Sequence, residues 1–385
     1  MQQIIVGKIF SQINDDAESV SLFLVEEVHM QNQEELFLAG RGAQYHPDNK
    51  FSKHHYVSDI FEGIDEEPEL DKKTQIIFTY PKTFINKVES PDVGSAYSMN
   101  PYQGCEHGCI YCYARNSHEY WGYNAGLDFE SKILVKQNVV VLLEKEFGKK
   151  NWKPLPIMLS GNTDCYQPIE RKMEITRGVL KTCLKFKHPV GLITKNALIL
   201  RDVDLLEQLA LYNLVHVMVS ITGVDESIRQ KLEPRTSTYK NRFKILETLS
   251  QHKIPCGVMV APIIPGINNH EIPNVMERAA QNGATSAGFT IVRLNGAIGP
   301  IFKDWLQKCF PDRADKVWNQ ICDCHGGTVN DSRYGTRMRG EGKIAESIKQ
   351  LFKISRERYM KSDKRFQFDL TLFDHKAGDA QLSLF

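Results

Sequence analysis

Three cysteines lie within eight residues of one another, at Cys105, Cys109 and Cys112, in the spacing C-x3-C-x2-C. Thiols this close together on one loop can bind a single inorganic centre. A structural zinc site is normally closed by four ligands, and a [4Fe–4S] cluster usually takes four cysteines. With only three, one iron of a cluster keeps an open coordination position at which a substrate or cofactor can bind. The spacing therefore favours a metal centre that stays open on one side.

Two simpler explanations of the three thiols stay open. They could form part of a structural zinc knuckle, or they could be incidental thiols. His107 is available as a fourth zinc ligand, but it lies between two of the cysteines, where reaching the same tetrahedral metal would strain the turn.

The residues around the cysteines resemble a known family. With Tyr111 directly before the last cysteine, the motif resembles that of radical S-adenosylmethionine (SAM) enzymes. The string NPYQGCEHGCIYCYAR (100–115) resembles more narrowly the branch that includes spore photoproduct lyase and its "DNA repair photolyase"-like relatives. The resemblance implies that the three cysteines hold a [4Fe–4S] cluster and that SAM binds the open iron. It also implies an electron donor such as flavodoxin or ferredoxin, and a 5′-deoxyadenosyl radical that abstracts hydrogen from a substrate.

Downstream of the cysteines, apolar runs of strand length alternate with amphipathic stretches of helix length, which predicts a parallel sheet built of βαβ units. Six strands are two short of a closed eight-stranded barrel. We therefore predict an α/β fold with a partial (β/α)6 TIM-type barrel, the radical SAM core, and with N- and C-terminal extensions. The predicted strands are 95–100, 156–161, 189–195, 215–223, 256–266 and 287–296, and the predicted helices are 173–186, 202–212, 239–252 and 271–283. The predicted divisions are an N-terminal extension (1–90), the core (91–300), a basic C-terminal extension (301–365) and a flexible tail (366–385).

Residues at the ends of these strands are candidates for binding SAM, because active sites of such folds lie at the C-terminal ends of the strands. A lysine such as Lys195 at the end of a buried strand is unusual unless it pairs with an anion. The resemblance implies that the strand-two loop holds the SAM amino group, that Lys195 meets the carboxylate, and that the turn after strand five binds adenine. The predicted SAM-binding residues are Tyr111, Gly161, Asn162, Thr163, Asp164, Lys195, Ser220, Ala261 and Pro262. The alternatives are that Lys195 is an ordinary surface lysine and that the turn after strand five is a Pro/Gly turn without a binding role.

Cys165 is a candidate hydrogen-atom donor, because spore photoproduct lyase uses a cysteine on its strand-two loop in this role. The local spacing does not match, since Gly161 or Asn162 aligns with that cysteine, and this departure puts the lyase reaction itself in doubt. Cys165 could equally be a small buried residue, as free cysteines often are. Tyr166 is a similarly loose candidate.

The two extensions carry weaker signals. GRGAQYHPDNKF (40–51) and SRYGTRMRGEG (332–342) together resemble a radical SAM subfamily of unassigned activity, named after its bacterial founding member. No chemical motif is recognised in residues 1–90. Four residues after the core could belong to an auxiliary cluster, although ordinary thiols are the simpler explanation. These residues are Cys309, Cys322, Cys324 and His325.

Residues 333–365 form a basic segment, with eleven basic and four acidic residues and a net charge of +7. RYGTRMRGEG (333–342) interleaves arginine with glycine and tyrosine, a composition suited to phosphate contact and base stacking. Nucleic acid is therefore an expected partner of residues 333–365. The alternative is a solvated helix face over 344–360.

The chain ends in a pentapeptide that resembles the segment with which bacterial polymerases and repair proteins bind the DNA sliding clamp. A leucine and a terminal aromatic suit an apolar pocket, and a glutamine amide can bond backbone groups at its rim. The alternative is an apolar tail that packs on its own domain. The predicted clamp-binding residues are Gln381, Leu382, Ser383, Leu384 and Phe385.

Net charge, apolar runs and cysteine content indicate which partners and which location the whole sequence favours. The formal net charge of +1 over 385 residues gives no global reason to expect a nucleic-acid or membrane partner, and no apolar run is long enough to span a bilayer. Nine clustered cysteines and the lack of a recognisable signal peptide predict a cytoplasmic location. Two alternative functions stay open: a radical SAM enzyme acting on a protein or small molecule, and a non-enzymatic zinc-dependent DNA-binding factor recruited to the clamp.

Overall fold

The inner strands of the main sheet, at 157–159, 190–194, 215–220 and 256–263, are short apolar runs. Most of their side chains are buried, because helices cover a parallel sheet. The computed structural model describes residues 38–51, 74–94, 96–360 and 366–378. All elements below belong to the unit that runs from Gly40 to Phe385. The strands are β1 (Gln75–Thr79), β2 (Asn86–Lys87), β3 (Tyr97–Met99), β4 (Tyr102–Gln103), β5 (Lys132–Lys136), β6 (Ile157–Leu159), β7 (Val190–Thr194), β8 (Val215–Ser220), β9 (Cys256–Ile263) and β10 (Ser286–Ile291).

The main sheet has seven strands in the order β10-β9-β8-β7-β6-β3-β2. Each pair from β3 through β6, β7, β8 and β9 to β10 is parallel, whereas the short β2 runs antiparallel to β3 at the edge. Six parallel strands joined through helices confirm the predicted partial (β/α)6 barrel. The C-terminal ends of these strands meet at one end of the barrel, which we call the mouth.

The four predicted helices lie close to their expected positions, at 175–185, 203–210, 239–251 and 272–281. Thr238 caps one of them, because its hydroxyl accepts the N–H of Asn241. No helix in the described ranges is long and apolar enough to cross a membrane. The helices are α1 (Arg115–His118), α2 (Leu127–Ser131), α3 (Val139–Phe147), α4 (Glu170–Met173), α5 (Ile175–Lys185), α6 (Val203–Ala210), α7 (Glu226–Leu232), α8 (Tyr239–Gln251), α9 (Ile272–Gln281), α10 (Ile298–Cys309), α11 (Ala314–Asp323) and α12 (Gly342–Tyr359).

A second, three-stranded sheet in the order β1-β5-β4 was not predicted from the sequence. Strand β1 pairs with β5 in parallel and β4 pairs with β5 antiparallel. Because β4 ends at Gln103, two residues before the first cysteine, this sheet fixes the start of the cysteine-bearing loop.

The open side of the partial barrel is bridged by two loops. Residues 329–338 lie beside the end of β10, where Ile291 N–H donates to the Met338 carbonyl at 3.0 Å. From this loop Arg337 Nε contacts Asp92 Oδ2 at 2.5 Å, and Gly335 N–H donates to Asp92 Oδ1 at 2.8 Å. Asp92 precedes β3 at the opposite edge of the barrel. The Asp92–Arg337 ion pair therefore links the two edges that six strands leave apart.

The N-terminal end of the barrel is covered by residues 366–378. Helix α12 runs along the outside of β10, with the Phe352 ring 4.4 Å from that of Phe289. The chain then passes beneath the strands, where the Phe373 ring lies 5.4 Å from that of His188 and the Phe366 ring lies 5.1 Å from that of His216. These residues fall within the tail predicted to be flexible, and the structure shows that this part of it packs on the barrel.

Candidate active site

The loop that carries the three cysteines follows β4 at the mouth of the barrel. Its backbone is tied to distant parts of the chain: Cys105 N–H donates to the Phe129 carbonyl at 2.8 Å and Ile110 N–H to that of Leu232 at 3.0 Å. Cys105 and Cys109 are buried and Cys112 is half-buried. The fold therefore presents all three thiols from one fixed loop.

A buried ion pair supports this loop from behind. Arg115 is fully buried, and its guanidinium donates to the carbonyls of Cys109 at 3.1 Å and Gly108 at 3.3 Å. Its charge is balanced by the buried Glu130 carboxylate, 2.5 Å away. Arg115 therefore holds the backbone between two of the cysteines.

The backbone turn at Gly42 also binds the Glu130 carboxylate. The N–H groups of Gly42 and Ala43 donate to the two carboxylate oxygens at 3.1 and 2.8 Å. A Cβ at position 42 would stand 1.8 Å from the Gly108 carbonyl oxygen, so only glycine fits. Part of the GRGAQYHPDNKF segment, for which the sequence suggested no chemistry, therefore belongs to the wall of the cysteine loop.

The chemistry of the thiols suits a metal centre. Burial raises the pKa of Cys109 to about 12 and raises those of Cys105 and Cys112 in the same direction. Ligation displaces the thiol protons, and a metal supplies the positive charge that buried thiolates need.

The donor set fits a cluster better than a single zinc ion. No three His, Cys, Asp or Glu side chains of the described residues are placed to hold one metal ion. In a cluster, by contrast, each thiolate binds a separate iron. His107, the possible fourth zinc ligand, already has Asp164 Oδ2 3.4 Å from Nδ1 and Asn196 Nδ2 3.1 Å from Nε2.

The predicted strand-two loop lies against the cysteine loop, but its polar groups are largely engaged. Thr163 donates its hydroxyl proton to the Tyr102 carbonyl at 2.6 Å. Asn162 N–H donates to Asn100 Oδ1 at 2.8 Å, and its amide donates to Ser117 Oγ at 3.0 Å. These contacts fix the loop in place beside the cysteine loop.

Gly161 lies where that backbone approaches its neighbours most closely. A Cβ there would stand 2.4 Å from Ser98 Oγ, and its carbonyl accepts the hydroxyl proton of Tyr113. The glycine lets the loop after β6 come close to β3 and to the residue that follows Cys112.

Asp164 and Lys195 are brought together at the ends of β6 and β7. The Asp164 carboxylate accepts the Thr194 hydroxyl at 2.8 Å and the Lys195 N–H at 2.8 Å. The Lys195 ammonium lies 5.9 Å from the centroid of the Tyr111 ring. Burial lowers the pKa of Lys195, but the negative charges of Cys109 and Glu233 outweigh it and raise the pKa overall. Lys195 is therefore a stable cation beside the cysteines.

A buried network that the sequence did not reveal lies beneath Tyr111. Glu233 and Arg242 are both fully buried and form an ion pair. The Tyr111 hydroxyl donates to Glu233, and Arg242 Nη1 donates to the Ser220 carbonyl at 3.0 Å. Burial raises the pKa of Glu233, but Arg242 and Lys195 outweigh it and hold it below its ordinary value. The network connects the cysteine motif to the predicted SAM residue Ser220.

The predicted adenine-binding segment lies at the end of β9. Ala261 and Pro262 are both half-buried and are joined by a cis peptide bond. The Pro262 carbonyl accepts the amide of Asn268 at 3.1 Å, and the same amide donates to the Thr222 carbonyl at 2.8 Å. The ends of β8 and β9 are thereby held side by side at the mouth.

Cys165 lies in the main hydrophobic core and is fully buried. Burial raises the pKa of its thiol far above the ordinary range. Tyr166 is also fully buried, and its hydroxyl donates to Asp202 Oδ2 at 3.1 Å. These surroundings favour the alternative of a small core residue for Cys165, and its role as a hydrogen-atom donor stays a prediction.

The cysteines after the core occupy separate places. Cys324 is fully buried in the main core, whereas His325 Nε2 bonds the Val292 carbonyl at 2.7 Å. Cys309 ends α10, where its carbonyl accepts the Lys231 ammonium at 3.2 Å. Among the described residues no set of ligands for an auxiliary metal ion is formed there.

The predicted partner-binding segments are only partly described. Residues 333–339 lie on the loop beside β10 at the mouth, whereas most basic residues after 342 lie on α12, along the outside of the barrel. The clamp-like residues 381–385 lie outside the described residues.

A partial parallel barrel whose cysteine loop lies at the strand ends is the architecture of an iron–sulfur enzyme with an open cofactor site at its mouth. A model of the radical SAM superfamily matches residues 99–279. An uncharacterized protein of Mycobacterium tuberculosis is 30% identical over 234 residues, covering 60% of this chain and 69% of the relative. An uncharacterized protein of Methanocaldococcus jannaschii is 30% identical over 251 residues, covering 65% of this chain and 90% of the relative.

Solved structures show the same fold. Spore photoproduct lyase complexed with dinucleoside spore photoproduct superposes with a TM-score of 0.53 at 14% identity, covering 74% of this chain and 79% of that one. A doubly substituted mutant of that lyase with bound AdoMet and dinucleoside spore photoproduct gives a TM-score of 0.52 at 14% identity, with the same coverage of both chains. The chain belongs to the radical SAM superfamily. As a member of that superfamily it is an enzyme whose cofactors are a [4Fe–4S] cluster and SAM.

Proposed function

We propose that Cys105, Cys109 and Cys112 bind the [4Fe–4S] cluster and that SAM is held at the mouth beside them. The observation that carries this proposal is the single backbone-fixed loop that presents three buried or half-buried thiols next to Lys195. When bound, the cluster and SAM together supply a one-electron cleavage that yields a carbon radical for hydrogen abstraction. The rest of the site positions these groups.

The chain's own residues provide the SAM contacts in this proposal. The Lys195 ammonium is the cation for the SAM carboxylate, because it lies beside the motif at the end of β7. The Asp164 carboxylate accepts the backbone N–H of Lys195 and so orients this lysine. The SAM amino group would bind backbone carbonyls of the strand-two loop. The half-buried Ala261–Pro262 segment gives an apolar surface for adenine.

The substrate we propose is nucleic acid. Exposed tyrosines lie at the mouth: Tyr113 follows the last cysteine and is 54% exposed, and Tyr334 on the loop beside β10 is 62% exposed. The Arg337 guanidinium lies 4.4 Å from the Tyr334 ring. Aromatic rings can stack on bases while arginines contact phosphates. Arg333 is 59% exposed, although it pairs with Asp331 and Glu341, and Arg339 on the same loop is also exposed. These features support a DNA-repair-like role for the loop at 333–339.

A clamp-bound location agrees with this substrate. The pentapeptide 381–385 matches the clamp-binding pattern over all five positions, which would bring the enzyme to DNA during or after replication. A radical SAM enzyme acting on a protein or small molecule is the other candidate, for which the tail would be structural.

The cofactor proposal is tested anaerobically. Protein reconstituted with iron and sulfide, reduced with dithionite and given SAM is expected to yield 5′-deoxyadenosine. Cys109→Ala should abolish the product, whereas Cys322→Ala, a half-buried cysteine away from the loop, should keep it. Zinc rather than iron in the purified protein, with no product, would sink the proposal.

The substrate proposal needs a separate measurement. Replacing the exposed Arg333 and Arg339 by Gln should weaken binding to single-stranded DNA and leave the Asp92–Arg337 ion pair intact. The slope of affinity against salt concentration should fall by up to about two phosphate contacts. Replacing Lys181 and Lys240, two exposed lysines on outer helices, serves as the charge-matched control. Equal binding by both variants would favour a protein or small-molecule substrate. Deleting 381–385 should abolish retention by the purified clamp and leave DNA binding intact.

A further inference from the structure

We propose that a basic groove along the edge of the main sheet binds the phosphate backbone of the nucleic-acid substrate, beyond the nucleotide that reacts. This inference rests on the proposed function, because only a nucleic-acid substrate supplies a strand that extends outside the mouth. We call the site the lysine groove, and its volume is about 610 Å³. The cationic residues that line it are Lys82, Lys87, Lys145, Lys149 and Lys153.

Two parts of the chain form the walls of the lysine groove. One wall is the segment 82–87, which leads into the edge strand β2, and the other is the end of α3 with the loop that follows it, as far as Lys153. The floor between them is aromatic, since the Tyr97 and Trp152 rings stack with their centroids 4.9 Å apart. The Trp152 indole N–H donates to His188 Nε2 at 3.0 Å and anchors the floor to the barrel. A preorganised groove of this kind loses little conformational freedom when a strand binds.

The lining of the groove is strongly positive. Among the described residues that line it, Glu146 is the only carboxylate, and it is paired with Lys149 at 2.6 Å. Five positive charges less one negative charge give the lining a net charge of +4. The other four lysines are all exposed, and no carboxylate in the described ranges lies at ion-pair distance from any of them.

The acidic residues around the groove do not cancel this charge. Glu144, also on α3, is paired with a lysine of α5 at 3.1 Å. Asp92 is paired with Arg337. Glu89 is exposed two residues beyond β2, and counting it together with the exposed Lys150 leaves the balance unchanged. The lysines of the groove are therefore available to a polyanion, which would release its counterions on binding.

The groove is connected to the loop proposed above to contact nucleic acid. Lys87 ends β2, and a turn that begins three residues later contacts that loop. Ser90 Oγ accepts a hydrogen bond from Arg337, and Asp92 forms its ion pair with the same guanidinium. A strand held at the exposed Tyr334 can therefore continue past this turn to Lys87 along the edge of the sheet.

The chemistry of the groove suits phosphates on a strand. Lysine ammonium groups contact phosphates as point charges without a fixed geometry, which fits a backbone that is bound independently of its base sequence. Tyr80, two residues before Lys82, is 73% exposed and offers a ring on which a base can stack. A concave site also accommodates a strand, whereas a flat membrane surface would reach only its rim.

The test measures the affinity of the full chain for fluorescent single-stranded DNA as a function of salt concentration. The groove variant Lys82→Gln/Lys145→Gln/Lys153→Gln removes three of the unpaired charges. Its affinity should fall at least about tenfold at low salt, and the slope of log affinity against log salt should decrease by about two, because each lost phosphate contact accounts for about 0.7. Since every replaced lysine is exposed, its denaturant unfolding curve should coincide with that of wild type.

A charge-matched control separates the groove from net charge. Lys240→Gln/Lys253→Gln/Lys316→Gln removes three exposed lysines on or after α8 and on α11, and it should bind DNA like wild type. Equal weakening by both triple variants, or no weakening by the groove variant, would overturn the groove as a nucleic-acid site. A groove variant that loses binding to phosphatidylglycerol vesicles but keeps its DNA affinity would overturn it in favour of a membrane surface.

The failure of this proposal and the failure of the proposed substrate give different results. Wild-type protein that binds no single-stranded DNA at low salt would overturn the nucleic-acid substrate and the groove with it. If Arg333→Gln/Arg339→Gln weakened DNA binding while the groove variant bound like wild type, the groove alone would be overturned.

Discussion

Replacing Glu130 by Gln should destabilise the protein far more than an ordinary charge deletion. The carboxylate is fully buried and receives N–H groups from Gly42 and Ala43 and the guanidinium of Arg115. Glutamine keeps one acceptor oxygen but turns an NH2 group toward the remaining donors. The fully buried Arg115 then keeps an uncompensated charge. Breaking a buried pair on one side costs about 3–5 kcal/mol, and we expect a loss of unfolding free energy in that range.

The assay is denaturant unfolding of the cluster-free chain, followed by circular dichroism, together with iron retention of the reconstituted protein under a chelator. Glu144→Gln is the matched control, since Glu144 is 41% exposed and pairs with Lys185 at 3.1 Å. The unfolding free energy of this control should decrease by less than about 1 kcal/mol. We also expect faster iron release from Glu130→Gln, because Arg115 holds the carbonyls of Gly108 and Cys109.

The double variant Arg115→Met/Glu130→Gln sharpens the test. Removing both charges eliminates the unpaired cation. The double variant should therefore lose less unfolding free energy than the two single variants lose together. If Glu130→Gln matched the Glu144→Gln control in both stability and iron release, the role assigned to this ion pair would be refuted.

Three further outcomes are expected. Gly42→Ala should lower stability and iron content, because its Cβ would meet the Gly108 carbonyl at 1.8 Å, whereas Gly94→Ala has no atom within 4 Å and should change little. Burial lowers the pKa of His188 to about 3 in the folded protein, so the unfolded chain takes up this proton at a higher pH. The unfolding free energy of the wild type should therefore decrease as the pH falls below about 6.5. In His188→Gln this decrease should be smaller by about 1.4 kcal/mol per pH unit. Lys195→Met should weaken SAM binding about tenfold or more by calorimetry, through loss of a charge-assisted hydrogen bond.

Each of these outcomes has a contrary result. Equal iron content in Gly42→Ala and Gly94→Ala would show that the N-terminal turn can move away from the cysteine loop. Identical pH slopes for wild type and His188→Gln would mean that this imidazole is accessible to protons in the folded state. Unchanged SAM affinity in Lys195→Met would place the carboxylate elsewhere.

The elements that the sequence predicted correctly are those with a local signal. Apolar runs marked the five parallel strands that follow the cysteines, and the cysteine spacing marked the loop at the mouth. The helix predicted over 239–252 was also found, at Tyr239–Gln251, with Thr238 as its N-cap. Period and spacing are properties of neighbouring residues, so a single sequence carries them.

The supporting contacts had no such signal. Gly42 reaches Glu130 across 88 residues, and Tyr111 reaches Glu233 across 122. Neither pair is visible in spacing, because the fold creates the proximity. Asp164 shows the converse limit: its polarity suggested a cofactor contact, whereas its carboxylate is bonded to Thr194 and to the Lys195 backbone. Residue type indicates what a side chain can bond, and only packing determines what it does bond.

The position of residues 366–378 over the N-terminal end of the barrel has a consequence for how the protein is synthesised. Residues 366–378 are made after every strand they cover, so Phe147 and Phe186 stay exposed on the growing chain until that segment arrives. The partners of the cysteine loop, from Gly42 to Arg235, are all synthesised before β9. A nascent chain can therefore form the contacts of its cysteine loop while its apolar underside still needs protection from aggregation. The mouth of the barrel is thus complete in sequence before the segment that covers the opposite end has been synthesised.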